Sequence, residues 1–354
     1  MLPPMRAWWR RPIVLVVLGV LILAVAGAVI GVTMNGSKSP AGGSSPQALR
    51  APHATLAAPS CPLTGTPSPS GSVPARPALA IKVDNYPTAR PQSGLEKADV
   101  VFEEPVEGGV TRYVAVFQCQ DASLVGPIRS ARYPDVGILD LLNHPIFVHV
   151  GGIDPIQQMV RNADDDDYDL YYEGSIIQHP SGRVAPFDTY VSTAAAWGAN
   201  RSDTSVPSPL FSYSPAAPKG TPVASVHIPF SGTSNETWAW SPTAKAWMLS
   251  YSGVASITNS GVPVSAANVV IEHVVTTTGP WLENDVGGYE VEVTSAGSGQ
   301  LQVLRNGEMV TGTWQRSGLR SPLQLLSSAG TPLTLQPGNT WVELVPDSIN
   351  VGSS

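Results

Sequence analysis

Hydrophobic and polar residues alternate along several short segments of this 354-residue chain. In the segment 78–85, apolar residues alternate with Lys82 and Asp84, which is typical of a strand with one buried face. Between the strand patterns, the segment 126–143 enters a short helix and 154–161 forms another. The sequence therefore predicts a mixed α/β domain at residues 76–215. Its other predicted strands are 98–105, 110–119 and 145–152.

Residues 216–350 consist almost entirely of strand and turn patterns. Asn306-Gly307 lies between two alternating runs, which predicts a hairpin with a type I′ turn. About nine short strands with turns between them are typical of an all-β sandwich or barrel. The predicted fold class is therefore α+β, with a mixed α/β domain followed by a sandwich- or barrel-like β domain.

The first 34 residues predict a transmembrane anchor. Residues 13–32 are apolar and uncharged, and their length as a helix matches the hydrocarbon thickness of a bilayer. Arg6, Arg10 and Arg11 precede this run, so the N-terminus is expected in the cytoplasm. The prediction is a single-pass protein of the bacterial cytoplasmic membrane with its domains on the outer side. A cleaved signal peptide is the alternative.

Residues 35–75 are rich in Ser, Pro and Gly and predict a disordered linker. Cys61 lies near the end of this linker and Cys119 at the end of a predicted strand. In an exported protein, two cysteines favour a disulfide, which would join the linker to the first domain. Two unpaired thiols are the alternative.

Composition excludes some classes of partner. The chain has a net charge of −7 and 13% charged residues, so no basic face for nucleic acid is expected. No Cys/His spacing indicates a metal site, and no cofactor is predicted. The acidic run 164–169 lacks the spacing of an EF-hand and is interpreted as a solvated loop. A calcium-stabilised adhesin built on that run is a minor alternative.

Four charged residues near predicted strand ends are candidates for ligand binding: Asp84, Arg112, Arg129 and Arg132. Arginine forks bind carboxylate or phosphate groups with two parallel hydrogen bonds, so an anionic ligand would suit this set. The alternative is that Glu–Arg pairs across the predicted hairpin hold its loops in place and bind nothing.

Candidates for acid–base catalysis are Glu103, Glu107 and His149. Because side chains alternate along a strand, Glu103 and its neighbour Glu104 point to opposite faces, so only one of them can face a cleft with Glu107. A carboxylate close to His149 could exchange protons with a substrate. No GxSxG, HExxH or P-loop motif is present, so the sequence leaves enzymatic activity open.

Seven stretches of the chain form a recognisable set of motifs: PLTG (62–65), VDNYPTARPQSGLEKADVVFE (83–103), EGGVTRYVAVF (107–117), GPIRSAR (126–132), HVGG (149–152), NVVIEH (268–273) and NGEMVTGTW (306–314). They resemble the YerB-like lipoprotein family, whose members are exported bacterial proteins with a domain of unknown function and a C-terminal companion module. The resemblance implies export but no particular activity. In the segment 183–193, Phe187 and Asp188 stand where the family pattern has His and Asn, and the chain lacks a lipobox before Cys61.

Two functions follow from these observations. The first is a membrane-anchored binding or structural module of the cell envelope, which contacts a wall polymer or an envelope protein through an Arg/Glu-lined cleft. The second is a hydrolase or transferase of envelope glycan or peptide that uses a Glu/His pair, which requires those groups within hydrogen-bonding reach of each other.

Overall fold

A computed structural model describes residues 59–199, 202–216, 219–283 and 288–354. The predicted anchor and the part of the predicted linker before residue 59 lie outside these ranges. Within the described ranges, no helix is both long and apolar enough to cross a bilayer. The described residues all belong to one compact unit, so both predicted domains form a single body.

The described residues form nineteen strands and three α-helices. The helices are α1 (Tyr133–Leu139), α2 (Asp154–Arg161) and α3 (Thr193–Ala199). The strands are β1 (Leu79–Asp84), β2 (Val100–Pro105), β3 (Thr111–Phe117), β4 (Ile146–His149), β5 (Asp166–Asp169), β6 (Thr221–Pro222), β7 (Ser225–Pro229), β8 (Asn235–Ser241), β9 (Ala246–Tyr251), β10 (Val254–Ala255), β11 (Ser265–Ala266), β12 (Asn268–Val274), β13 (Thr276–Leu282), β14 (Tyr289–Val293), β15 (Gly297–Arg305), β16 (Glu308–Arg316), β17 (Gln324–Ser327), β18 (Thr340–Pro346) and β19 (Gly352–Ser353).

A mixed sheet of eleven strands runs through the body in the order β17-β16-β15-β12-β18-β2-β3-β1-β4-β5, with β6 paired to β16. Strand β18 pairs in parallel with β2 on one side and with β12 on the other. The sheet therefore joins strands from both predicted domains. Four of the longer strands of residues 216–350, namely β12, β15, β16 and β18, extend the sheet of the first segment. The second segment therefore does not close on itself as a sandwich or barrel.

Six other strands form an antiparallel sheet, in the order β10-β9-β8-β7-β19 with β11 paired to β9. This second sheet packs on one face of the large sheet, where Trp238, Trp247 and Trp341 are fully buried. Helices α1 and α2 and the two-stranded sheet β13-β14 cover the other face. Alternation along the central strands explains this layering, since each strand contributes apolar side chains to both faces.

The hairpin predicted at Asn306-Gly307 is confirmed. Strands β15 and β16 pair from Gly297↔Arg316 to Arg305↔Glu308, and only the two turn residues lie between them. Asn306 and Gly307 have φ of 51° and 76°, as a type I′ turn requires.

Two segments differ from the expectations. The acidic run contributes β5, which pairs in parallel with β4, so it is not simply a solvated loop. Cys61 and Cys119 form the disulfide that the sequence favours, which joins the predicted linker to the first domain. The difference is that residues 59–75 of the predicted linker also pack against the body, where Leu63 is buried. The linker composition gave no sign of this packing, because one buried leucine and one cross-link hold an otherwise polar stretch.

Candidate functional site

Polar side chains collect at one edge of the large sheet because six of its strands end there. Strands β1, β2, β4, β5, β12 and β18 all run in the same direction. Their carboxyl ends carry Asp84, Glu104 and His149, and the antiparallel strand β3 begins at the same edge with Arg112. In open sheets of this kind, ligands bind beside the carboxyl ends of parallel strands.

These charged groups form separate clusters, although Asp84, Glu104 and Arg112 lie opposite one another on neighbouring strands. Glu104 points toward α1, where Lys82 donates hydrogen bonds to Glu104 and, over 2.7 Å, to Asp135. All three side chains are fully buried. Burial raises the pKa of Glu104, the nearby Asp135 raises it further, and Lys82 opposes both effects. This triad fastens α1 to the sheet.

Glu107 forms a second buried cluster, with two of the predicted ligand-binding arginines. Arg132 donates to both Glu107 oxygens, over 2.8 and 2.5 Å, and Arg112 donates to one of them over 3.4 Å. Burial alone would raise the pKa of Glu107, but the hydrogen bonds from Arg132 and the charge of Arg112 hold it at about 2. Arg132 also lies 3.2 Å from Glu283. Both arginines are nearly inaccessible and already have carboxylate partners.

The remaining predicted pair is closer to the surface. Arg129 Nε lies 2.6 Å from Asp84 Oδ2, and the Arg129 side chain is 29% exposed. Its guanidinium lies 5.9 Å from the centre of the Phe187 ring. The structure thus brings the four predicted ligand-binding residues to one edge, but of these arginines only Arg129 has substantial access to solvent.

His149 does not meet either candidate glutamate. Its Nδ1 lies 2.9 Å from the Gly151 carbonyl and its Nε2 lies 2.8 Å from Asp167 Oδ1. Burial lowers the pKa of His149, but the hydrogen bond to Asp167 and the charge of Asp169 outweigh it, so the pKa is raised. Two acceptors favour a protonated imidazole that anchors β5. This geometry gives no support to a Glu/His pair for catalysis.

Glu103 belongs to a different cluster, on the face covered by the second sheet. It is paired in register with Glu343 on β18, and Glu236 of β8 approaches from the opposite sheet. All three carboxylates are fully buried, and one oxygen from each lies within 4.8 Å of the others. Burial raises the pKa of Glu103, although the Thr111 hydrogen bond and the Arg90 charge oppose that rise.

Several donors surround the Glu103 carboxylate. It accepts hydrogen bonds from Thr111 (2.5 Å), Asn85 (3.1 Å) and Tyr251 (3.3 Å). The Tyr251 hydroxyl also hydrogen-bonds to the Tyr113 hydroxyl and accepts from Asn85 over 2.9 Å. Tyr251 is itself buried, and it connects the buried carboxylates to a cleft that its ring helps to line.

That ring forms part of a cleft of about 480 Å³, which we call the Arg90 cleft. The Arg90 guanidinium stacks 3.5 Å above the centre of the Tyr251 ring. Asn85 fixes it from one side, accepting from Arg90 Nε over 2.9 Å and from Nη2 over 3.0 Å. The residues lining the cleft are Pro87, Arg90, Pro91, Gly232, Thr233, Tyr251, Ser252, Val254, Ala255, Ser256 and Ile257.

Sequence reasoning missed Arg90, Tyr251, Glu236 and Glu343. Glu236 lies in β8, Tyr251 in β9 and Glu343 in β18. All three are more than a hundred residues from Glu103, and no local spacing connects them to it. Arg90 stands in a Pro-rich loop without a charged neighbour to suggest a site. Glu103, at an inward position of a predicted strand, was the available signal, because a buried carboxylate needs partners.

Two family descriptions match the chain. Residues 63–205 match the DUF3048 N-terminal domain, a protein family of unknown function, and residues 226–342 match the DUF3048 C-terminal domain. The protein named "Putative lipoprotein YerB" of Bacillus subtilis (strain 168) is 30% identical over 299 residues, which cover 81% of this chain and 86% of that protein.

The crystal structure of YerB from Bacillus subtilis superposes with a TM-score of 0.70 and 25% sequence identity. The match covers 83% of this chain and 99% of that one. The resemblance inferred from the motifs is therefore confirmed over both matched segments, residues 63–205 and 226–342. This chain belongs to the DUF3048 family and is a relative of the lipoprotein YerB.

Proposed function

We propose that this protein is a membrane-anchored binding module on the outer side of the bacterial cytoplasmic membrane, held there through residues 13–32. The lipoprotein name of its relative supports a position in the envelope. The observation that carries the proposal is the Arg90 cleft, in which a fixed cation lies on an aromatic ring beside apolar walls. Binding, rather than catalysis, is the activity that this geometry favours.

The chemistry of the cleft indicates an anionic ligand. Asn85 accepts from Nε and Nη2 of Arg90, and Nη1 has no acceptor among the described residues, so it remains available to a ligand. Stacking on Tyr251 and the two Asn85 contacts hold the guanidinium in one orientation, so little side-chain entropy is lost when a carboxylate binds. Pro87, Pro91 and Val254 add apolar surface for the ligand's rings or side chains.

These features suit a carboxylate-bearing polymer of the cell wall. The predicted linker before residue 59 would hold the cleft away from the bilayer, within reach of such a polymer. Arg112 and Arg132 are buried against Glu107, so neither is available to such a ligand.

The test is co-sedimentation of purified full-length protein in detergent with isolated cell-wall material. Arg90→Ala should weaken binding by roughly 10–100-fold, the effect of losing a charge-assisted hydrogen bond. Arg320→Ala is the matched control, because Arg320 is 69% exposed and lies outside the cleft. It should bind like the wild type. Wild-type protein that fails to sediment with the wall, or equal binding by Arg90→Ala, would overturn the proposal.

A further inference from the structure

Three glutamates meet inside the protein, between the large sheet and the second sheet. Glu103 lies on β2, Glu343 on the neighbouring β18, and Glu236 on β8 of the other sheet. None of the three has measurable exposure to solvent. Burying a carboxylate is costly unless its charge is compensated, and the cost rises when like charges lie close together. The glutamate triad therefore requires a compensating group.

Protein donors compensate the triad only in part. Glu103 receives the hydrogen bonds of Thr111 and Asn85, and Glu343 Oε1 accepts from Trp238 Nε1 over 2.9 Å. Neither oxygen of Glu236, nor Glu343 Oε2, meets a donor at hydrogen-bonding geometry. The Glu103 carboxyl and the Tyr251 hydroxyl are close enough to influence Glu236 without satisfying it. A fully buried, unpartnered side chain thus points into the triad.

The nearest positive charge lies to one side of the triad. Arg90 interacts with Glu103 through space, but its hydrogen bonds go to Asn85 and its face lies on Tyr251. It cannot reach between the three carboxylates while it holds that position. A compensating cation would have to sit among the oxygens themselves.

We propose that Glu103, Glu236 and Glu343 bind a calcium ion between the two sheets. The facing oxygens lie within 4.8 Å of one another, which is about twice the Ca²⁺–oxygen distance of 2.3–2.6 Å. The triad offers only oxygen ligands, which suits a hard cation and not zinc. Three carboxylates that each bind through both oxygens supply six ligands, the lower limit for Ca²⁺, whereas Mg²⁺ usually keeps several waters.

A calcium ion at this position would cross-link the fold. It would tie β2 and β18 of the large sheet to β8 of the second sheet, directly behind the Tyr251 ring. Because Tyr251 contacts both Glu103 and Arg90, the ion would also hold the Arg90 cleft in shape. The proposal stands apart from the proposed ligand of that cleft, since the ion needs no ligand in order to bind.

Full-length protein in detergent, stripped with EDTA and dialysed, would be titrated with CaCl2 by calorimetry and by thermal unfolding. We expect one Ca²⁺ per chain and an unfolding midpoint that rises by several degrees in the wild type. Glu236→Gln should abolish both responses. The matched control is Glu173→Gln, at an exposed position outside the triad, which should retain both responses.

Two outcomes would overturn the proposal. In one, the stripped wild type shows no heat and no shift with Ca²⁺. If Glu236→Gln is then also more stable than the wild type in EDTA, the triad shares protons instead of a metal. In the other, Glu236→Gln responds to Ca²⁺ like wild type, which places the ion elsewhere. If Glu236→Gln fails to fold, Glu343→Gln takes its place, and the wild-type stoichiometry still decides whether a site exists.

Discussion

Lys82 shows how one charged residue is accommodated at the centre of the sheet. Alternation along β1 places it on the face toward α1, next to Glu104 and Asp135, and its side chain has no exposure to solvent. Glu104 Oε2 has no donor of its own. Lys82 is therefore the cation that offsets two buried carboxylates, and the burial of Glu104 and Asp135 depends on it.

Replacing Lys82 with methionine should lower the free energy of unfolding by about 3–5 kcal/mol, because it leaves two buried carboxylates without a cation. Urea denaturation followed by tryptophan fluorescence would measure the loss. Arg320→Met is the comparison: its ion pairs with Asp140 and Asp164 are 3.7 Å long and Arg320 is 69% exposed. That change should cost roughly 0–1 kcal/mol. Equal losses for the two variants would contradict the assignment.

At the scale of elements, a disulfide joins the end of strand β3 to residues 59–75, the part of the predicted linker that packs against the body. Cys119 follows β3 and forms a disulfide with Cys61, 58 residues earlier. Asp99 reinforces this corner by accepting hydrogen bonds from the backbone N–H groups of Gln118 and Cys119. Leu63 is buried beside it. The cross-link thus fixes where the chain leaves the predicted linker and begins to pack.

The double variant Cys61→Ser, Cys119→Ser should lose about 4 kcal/mol of unfolding free energy, the chain-entropy effect of a loop of this length. Chemical denaturation of wild type and variant would measure it. Limited proteolysis adds a local readout, because cleavage between residues 59 and 75 should become much faster in the variant than elsewhere in the chain. Unchanged stability and unchanged cleavage would show that packing alone holds this segment.

At the scale of the whole molecule, the two family-matched segments share one sheet. Strand β18, near the C-terminus, lies between β2 and β12 and pairs in parallel with both. Trp238 of the second sheet contacts Trp341 of the large sheet, with ring centres 5.2 Å apart. Each segment therefore leaves a long unpaired strand edge and an uncovered apolar face when the other is removed.

Neither residues 59–215 nor residues 216–354 should fold when expressed alone, whereas the complete chain should unfold in a single transition. Near-UV circular dichroism would detect fixed aromatic packing in each fragment. The complete chain, with coincident fluorescence and dichroism transitions, is the control. A fragment with native-like near-UV dichroism would show that its half forms an independent core.

Local features of the sequence determined most elements and several pairings. Alternation predicted the strands β1 to β4 and placed Glu103 and Glu104 on opposite faces, and Asn306-Gly307 predicted its hairpin. The motifs identified the family. These features depend on interactions between residues close in sequence, where backbone preference and side-chain period act directly.

The tertiary structure alone decided which distant strands meet. The pairing of β2 with β18 is set by how the two faces of the sheet pack, and no local pattern encodes a partner 240 residues away. That pairing brings Glu343 beside Glu103, and the packing of the second sheet adds Glu236 and Tyr251. The assembled fold also buries Arg112 and Arg132 against Glu107, although the sequence led us to expect both at a binding surface. Burial and partners are properties of the assembled fold, and the chemistry of this protein depends on them.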